Sequence, residues 1–392
     1  MKVLYLVPHV PNATKIRSHM QIRGLIDSGQ EVVVGTLIRS DEDLKHIQKL
    51  EAGGVKVVAA PLSRWQMAYH GLAALPGSRP LQADLLRSSA FMARLDSHLQ
   101  AEPPDVVHVE HLRMARYGLQ LNNRWPVVWD AVDNLASLFR QASSSSTSST
   151  WRLAARIEAP RLQSYERWLT GQFPATLVIS EQDRMLFSRE NPHADRVRYA
   201  PLGIPVHPHD ESAPRASNVL IITGTMNYHP NIAAIRYFVE TIFPLIQQAR
   251  PDVELRLVGA NPVEAIRSLG ERHGIIVTGF VPSVADHLRQ AAVALAPVTY
   301  GAGIQIKVLE AFLTETPLVA TPQAIRGLDV HHEAHLLIAD DPAAFAAAVL
   351  RLLDDHLLRD QLGQAGRRYV EQHHDLTETT RHLLDIYRSV IR

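Results

Sequence analysis

The segment GAGIQIKVLEAF, residues 301–312, sets two glycines, a lysine and a glutamate at the start of an apolar, helix-periodic stretch. If the helix starts near Ile304, then Gly303, Lys307 and Glu310 lie along one side of it, because side chains three and four residues apart meet on a helix surface. A helix N-terminus presents free backbone N–H groups and the positive end of its dipole, and glycines let an anion come close to the backbone. Lys307 adds a mobile cation one turn in, and Glu310 offers a carboxylate that can accept two sugar hydroxyls. An anion site beside a vicinal-diol site describes a nucleotide. A surface ion pair is the bland alternative for the same two residues.

Such a site has to be held by larger elements. The 392 residues exceed what one hydrophobic core usually holds, and 46% apolar residues suffice for two. The start, KVLYLVP, reads as a strand, followed by a loop from His9 to about Thr14 and a helix from about Lys15 to Ser28 closed by Gly29. EVVVGTL is a second buried strand. The same βαβ rhythm recurs in VKVVAAPL, DVVHVEHL, PVVWDAV and ATLVISE, which is the signature of a parallel sheet with both faces covered. The polar, proline-bearing segment HPHDESAPRASN marks a linker, after which the rhythm restarts. It runs through VLIITGTM, a helix from about Asn231 to Ala249, VELRLVG, a helix over 262–272, IIVTGF, a helix over 283–291, VALAPV, the helix of Lys307 and PLVAT. A helical tail over 342–392, broken around Gly363–Gly366 and His373–Asp375, ends the chain. The domains expected are 1–205, 206–370 and a C-terminal helix 371–392 that packs back on the first. Two parallel-sheet domains joined by one linker form a cleft where helix N-termini and loops converge.

Forty basic residues balance forty acidic ones, so no global field draws the chain to nucleic acid. Zero cysteines exclude disulfides, thiolate metal sites and a cysteine nucleophile, which fits the cytoplasm. No run of about 18 apolar residues occurs, so neither a membrane span nor an export leader is expected. The run SSSSTSST, residues 143–150, cannot bury apolar area and reads as a mobile loop or lid. HHEAH, residues 331–335, lacks the spacing of a zinc-binding His-Glu-x-x-His and reads as a loop. No full G-x-G-x-x-G follows a strand and no Walker lysine motif occurs, which disfavours dinucleotide and P-loop chemistry.

GAGIQIKVLEAFLTETPLVATPQAIRGL resembles the donor-binding segment of retaining glycosyltransferases of the GT-B fold, in the bacterial group called family 4 or group 1. GTMNYHPNIAAIRYF, VELRLVGANP and VTGFVPSVADHLRQAAVALAPV are similar in the same order. The resemblance implies two facing Rossmann-like domains, the first for the acceptor and the second for the donor. It implies that Lys307 contacts the diphosphate and Glu310 the ribose of a nucleotide sugar, with the amides of Gly303, Ile304 and Gln305 near the phosphates. Gly279, Phe280 and Val281 would meet the base, and Gly224 and Thr225 would border the phosphates from the other side. It further implies no metal and no cofactor beyond the nucleotide diphosphate sugar, with amides, lysine and helix dipole taking the role of magnesium. Partners would be that donor and a hydroxyl acceptor, a glycan or lipid-linked sugar, with peripheral attachment to the inner face of a membrane.

Two positions depart from the family pattern. Ala302 stands where relatives carry a second glutamate near the donor sugar, and the first loop reads NATKIR where many relatives have Gly-Gly. On the acceptor side, Glu110 matches the family's catalytic position best by offset, with His111 as the alternative; strand alternation places His108 and Glu110 on one face. Asn12, Thr14, Lys15, Arg17, Asp130 and Asp133 are the remaining acceptor-side candidates, although Asp133 could simply cap the next helix. Lys15, Arg17, Arg23, Arg113 and Arg116 could form a basic rim for a charged or lipid-linked acceptor, or merely solvated helix faces. An epimerase or hydrolase of the same fold would use similar donor groups but needs additional acid/base residues in the cleft, whereas a non-catalytic binding or partner subunit would bind nucleotide weakly or not at all.

Overall fold

The computed structural model describes residues 1–12, 15–74, 77–145, 149–189, 191–208, 215–300 and 303–391. The chain divides into two compact units, Met1–Gly203 with Leu376–Arg392, and Ile204–Asp375.

In the first unit the strands are β1 (Lys2–Leu6), β2 (Glu31–Ile38), β3 (Lys56–Pro61), β4 (Val106–Glu110), β5 (Val127–Val132), β6 (Ala175–Val178) and β7 (Val197–Tyr199). Its helices are α1 (Ile16–Asp27), α2 (Asp41–Ala52), α3 (Arg64–Ala74), α4 (Leu81–Asp84), α5 (Ser89–Ala101), α6 (Ala115–Leu121), α7 (Leu135–Ser145), α8 (Ser149–Thr170) and α9 (Glu181–Ser188). The strands form one parallel sheet in the order β3-β2-β1-β4-β5-β6-β7. β1 is therefore flanked by β2, with Lys2 opposite Glu31, and by β4, with Val3 opposite Val106. Winding proceeds one way from β1 and the other way from β4, so the switch point lies between their carboxyl ends, where open α/β sheets bind ligands.

Alternation along the strands feeds two cores. Leu4, Leu6, Val107 and Trp129 join Phe91 and Leu95 on one face; Val3, Tyr5, Val106 and Val128 join Ile22, Leu25 and Tyr387 on the other. Tyr387 comes from the last helix of the chain, Leu376–Ile391, which returns to the first unit and lies against α1. Its Leu383, Leu384, Ile386 and Tyr387 are buried, at about 1.5–3 kcal/mol per large apolar side chain. Gly24 of α1 makes the approach close enough, since a Cβ there would meet Thr380 Oγ1 at 2.1 Å.

The second unit holds β8 (Val219–Thr223), β9 (Glu254–Val258), β10 (Ile275–Gly279), β11 (Val293–Ala296), β12 (Leu318–Ala320) and β13 (Leu337–Ile338), parallel in the order β10-β9-β8-β11-β12-β13. Its helices are α10 (His229–Tyr237), α11 (Phe243–Ala249), α12 (Glu264–Arg267), α13 (Val284–Gln290), α14 (Ile306–Leu313), α15 (Pro342–Asp354) and α16 (His356–His373); the returning helix is α17 (Leu376–Ile391). A π-turn over Phe238–Ile242 joins α10 to α11, where Pro244 cannot donate to the α-helical ladder. The switch point of this sheet lies between β8 and β11.

The tail differs from the expected pattern. The first break falls at Asp355, whose side chain caps α16 by accepting from Leu358 N (2.9 Å). Gly363 and Gly366 lie inside α16, where a Cβ would stand 2.2 Å from Glu315 O and 2.5 Å from Phe312 Cδ1. They are there for close packing against the end of α14, not to interrupt a helix. The Ser/Thr run also differs from a free loop: residues 143–145 close α7 and 149–150 open α8, while residues 146–148 lie outside the described ones.

Candidate functional site

In the second unit, Gly224 and Thr225 follow β8 at the switch point. Gly224 N donates to Val258 O (3.1 Å) and Met226 N to Ala260 O (2.8 Å), so the chain continues alongside the end of β9 before α10 begins. Gly224 (φ +138) and Gly259 (φ +156) are pressed together: a Cβ on Gly259 would stand 2.0 Å from Gly224 O, which only glycine permits.

Lys307 is the second residue of α14, and its Nζ donates to Asn231 Oδ1 (2.8 Å). Asn231 Nδ2 donates in turn to Thr225 O (2.9 Å). A Cβ on Gly224 would approach Asn231 Nδ2 to 2.8 Å and Lys307 Nζ to 3.5 Å, so these four residues form one cluster. The ammonium is thus held by a neutral amide. Burial pushes its pKa down to about 8, with Glu310 opposing, and burial raises that of Glu310, with Lys307 opposing. A half-buried cation whose hydrogen-bond partner is uncharged is electrostatically suited to a negative ligand.

The helix start requires a correction. α14 begins at Ile306 and not near Ile304, because Gln305 is extended (ψ 104) and serves as N-cap without a side-chain cap. Val308 N donates to Gln305 O (2.9 Å). The amides at the open end are those of Ile306 and Lys307, and Gly303, Ile304 and Gln305 form the half-buried approach to them. Ala302 lies outside the described residues. After β9 and β10, Gly259 N donates to Gly279 O (3.1 Å), which ties the Gly279–Val281 loop to the same end of the sheet; Phe280 is 78% exposed there.

In the first unit, β4 carries His108 and Glu110 on one face of the sheet, toward α1 and α17. His108 is fully buried: its ring stacks on Tyr5 (4.1 Å), Tyr387 Oη lies 2.7 Å from Nδ1, and Nε2 is 3.4 Å from Asp130 Oδ2. Asp130 Oδ2 accepts from Arg17 Nε (2.9 Å), its Oδ1 accepts from Val132 N (3.0 Å), and Arg17 Nη1 donates to Ala200 O (3.1 Å). Arg17 and Asp130 are therefore buried against each other, and Arg17 does not stand on a solvated rim. Arg17 is on the side of α1 that carries Ser18, Gln21, Ile22 and Leu25 into the sheet, and a buried carboxylate needs a cation. Burial alone would raise the Asp130 pKa, but Arg17 and His108 outweigh it and hold it below the ordinary range.

Glu110 sits one alternation further along, at the carboxyl end of β4, with Tyr5 Oη 3.4 Å from Oε2. Burial and the Asp130 charge lift its pKa to about 7. His111 follows at φ 68, ψ 151, a region that side-chain-bearing residues rarely occupy. Its N donates to Asp130 O (2.6 Å), and its Nδ1 accepts from Arg113 N (3.2 Å). Strain of this kind persists only where surrounding structure enforces it, and it clusters at functional sites. Asn12 Oδ1 accepts from Lys15 N (3.2 Å) at the entry to α1, and Thr14 lies outside the described residues. Asp133 is half-buried after β5, and Asn134 caps the start of α7, accepting from Ser137 N (2.7 Å). Arg23 pairs with Asp27 and Arg116 with Asp84, which takes these two out of a free basic rim. His332 and His335 each accept a backbone N–H through Nδ1, within the loop expected for HHEAH.

Asn231 was not among the sequence candidates. An asparagine carries no charge signal, and its partner Lys307 is 76 residues away. The sequence NYHPN at a helix start, directly after a strand-end Gly-Thr, was the available cue.

Two parallel sheets of Rossmann type, each with a polar cluster at its own switch point, are the architecture of GT-B proteins. Comparison with known families agrees. Residues 14–203 match the model of a glycosyl transferase 4-like domain, and residues 217–355 that of glycosyl transferases group 1. The chain belongs to the GT-B glycosyltransferases of this group. Among curated proteins it is 25% identical over 187 residues to an uncharacterized 44.6 kDa protein in the cps region of Klebsiella pneumoniae, covering 44% of this chain and about half (48%) of that protein's length. Among solved structures, sucrose-phosphate synthase from Thermosynechococcus elongatus superposes with a TM-score of 0.70 at 16% identity, over 99% of this chain and 98% of that one. Anabaena HepE, in complex with UDP and glucose, gives 0.69 at 12% identity, over 99% and 100%. At such identities these structures speak for the fold.

Proposed function

We propose that this protein transfers a hexose from a nucleoside diphosphate sugar to a hydroxyl acceptor with retention of configuration. The observation that carries the reading is Lys307, held by Asn231 against Gly224 at the open end of α14. In this reading the bond between the sugar C1 and the leaving phosphate oxygen breaks, and C1 bonds to the acceptor oxygen on the same face. The acceptor's proton passes to the leaving diphosphate. Negative charge grows on that diphosphate, so Lys307 and the amides of Ile306 and Lys307 act where the transition state needs them, without a metal ion. Glu310 takes the ribose hydroxyls and the Gly279–Val281 loop takes the base. Glu110 and His111 supply the acceptor-side groups of the first unit. The UDP-bound neighbour and the cps-region relative favour a UDP-sugar and a polysaccharide acceptor.

A titration of the full chain with UDP, GDP, TDP, ADP and CMP, followed by thermal unfolding, tests the donor site. One diphosphate at 100 times its dissociation constant should add about 2.7 kcal/mol of stability. Glu310→Ala should remove most of that gain. An unchanged gain in the variant would take the ribose away from Glu310.

No described helix is long and apolar enough to cross a membrane. We place the chain in the cytoplasm at a membrane's inner face, and α3 supports this. Trp65, Tyr69 and Leu72, spaced as one helix face, are 86%, 70% and 66% exposed, and no residue of α3 is buried. Between Glu51 and Asp84 the sequence carries Lys56, Arg64 and Arg79 and no carboxylate, which suits anionic lipid. The chain should co-sediment with vesicles containing anionic lipid, and a Trp65→Ser, Tyr69→Ser, Leu72→Ser variant should stay in solution. Equal sedimentation of both would remove α3 as the contact.

A further inference from the structure

β1, β2 and β4 end side by side, and the residues beyond them gather basic side chains that the donor chemistry does not use. Arg39, just after β2, lies with Nη2 2.5 Å from His9 Nδ1, and its Nε is buried without a partner. Arg113 donates Nε to the neutral amide of Gln82 (3.0 Å). Burial, followed by the charges of Lys15, Arg39 and Arg113, pulls the His9 pKa down to about 3. Burial and Arg113 do the same to His111, also to about 3. Burial and the charge of Arg39 lower that of Arg113.

The nearby acids are engaged elsewhere. Asp43 Oδ2 accepts from Arg39 N (2.9 Å) and Ser40 N (3.1 Å) in the capping box of α2, and Glu42 lies 3.7 Å from His46. Among the described residues no carboxylate side chain pairs with the side chains of Lys15, Arg39 or Arg113. Both imidazoles use Nδ1 as an acceptor, toward Arg39 Nη2 and Arg113 N, which leaves Nε2 as the protonated nitrogen of each. Beside this cluster opens a cavity of about 340 Å³ whose lining includes His9, Lys15, Arg39 and His46 together with the carboxylates of Glu42 and Asp43. That lies in the size range of small-molecule sites. The like charges of Arg39 and Arg113 oppose each other, an unfavourable interaction that a bound anion would relieve, and Arg39 Nε is left without a partner to meet it.

We infer that this pocket binds an anionic group of the acceptor, a phosphate or a carboxylate, through Lys15, Arg39 and the Nε2–H of His9, with the nearby charge of Arg113 adding to the attraction. Taking the ligand as the acceptor rests on the transferase reading above; the anion site itself does not. A phosphate on a lipid-linked acceptor and the carboxylate of an acidic sugar share the required chemistry, and a guanidinium fork suits either.

The test is calorimetric titration of the full chain, wild type and Lys307→Ala, with inorganic phosphate in one arm and glucuronate in the other. Lys307→Ala removes the cation of the second unit, where phosphate could also bind. Binding of at least one anion should persist in Lys307→Ala and weaken about tenfold or more in Arg39→Gln, the loss expected for one charged hydrogen bond, and by a smaller factor in Arg113→Gln. Phosphate alone would mark a phosphorylated acceptor, and glucuronate alone an acidic sugar. Undiminished binding in both arginine variants, binding abolished by Lys307→Ala, or no heat from either anion would overturn the inference. Thermal unfolding in anion-free buffer checks that the variants fold; should Arg39→Gln not fold, Arg39→Lys keeps the charge without the fork and should still weaken binding. UDP titrated into the same samples separates the two claims: UDP bound without phosphate or glucuronate sinks the pocket alone, and the reverse sinks the donor reading alone.

Discussion

Lys307→Ala should lower turnover by about 10²–10³-fold, the loss typical of removing one group aimed at developing negative charge. The fold should survive, because Lys307 is half-buried and its partner Asn231 keeps its own bond to Thr225 O. The pH dependence gives a second readout. Burial holds the free Lys307 near pKa 8, below the usual lysine value, so the fraction carrying the charge falls as pH rises through 8. Affinity for a nucleoside diphosphate should therefore decline above about pH 8 in the wild type, and this step should vanish in Lys307→Ala. A variant with turnover within a few-fold of wild type, and the same pH profile, would remove the lysine from the mechanism.

Asp130→Ala should cost about 3–5 kcal/mol, the penalty for leaving one partner of a buried pair uncompensated. Arg17 and Asp130 have side chains 7% and 0% exposed, 2.8 Å apart, and truncation would strand the guanidinium under α17. At roughly 2–4 °C per kcal/mol for a unit of this size, the first unit should melt on the order of 10 °C earlier. Replacing both together, Arg17→Met with Asp130→Leu, should recover much of the loss, since apolar groups of similar volume often substitute well for a buried pair. The sign with pH follows from the depressed Asp130 pKa. Its contribution is present above the ordinary carboxylate value and is lost as pH falls through the lower folded-state value. Calorimetry of the single and paired variants would show it. A loss under about 1 kcal/mol for Asp130→Ala would mean that the pair is open to water.

What could be read from the chain itself was whatever depends on nearby residues. The strands are short runs of Val, Ile and Leu because both faces of a parallel sheet are covered, so VLIIT and KVLYL announce themselves without context. The glycine–lysine–glutamate spacing around α14 is likewise local, and it led to Lys307 and Glu310 together. It missed the helix start by two residues, because the extended backbone of Gln305 leaves no mark in its side chain. Tertiary structure decided the rest. Arg17 looked like a site residue as a cation on the first helix and Asp130 as a carboxylate at a strand end; only the contact between residues 113 positions apart turns them into a buried pair. Gly363 and Gly366 looked like helix breakers until Glu315 O and Phe312 came against them. Asn231 and Arg39 gave no signal, since an amide or a lone arginine acquires meaning only from what the fold brings beside it. Hydrophobic periodicity is written into neighbouring residues, whereas the partner of a charge is chosen by packing across the whole unit.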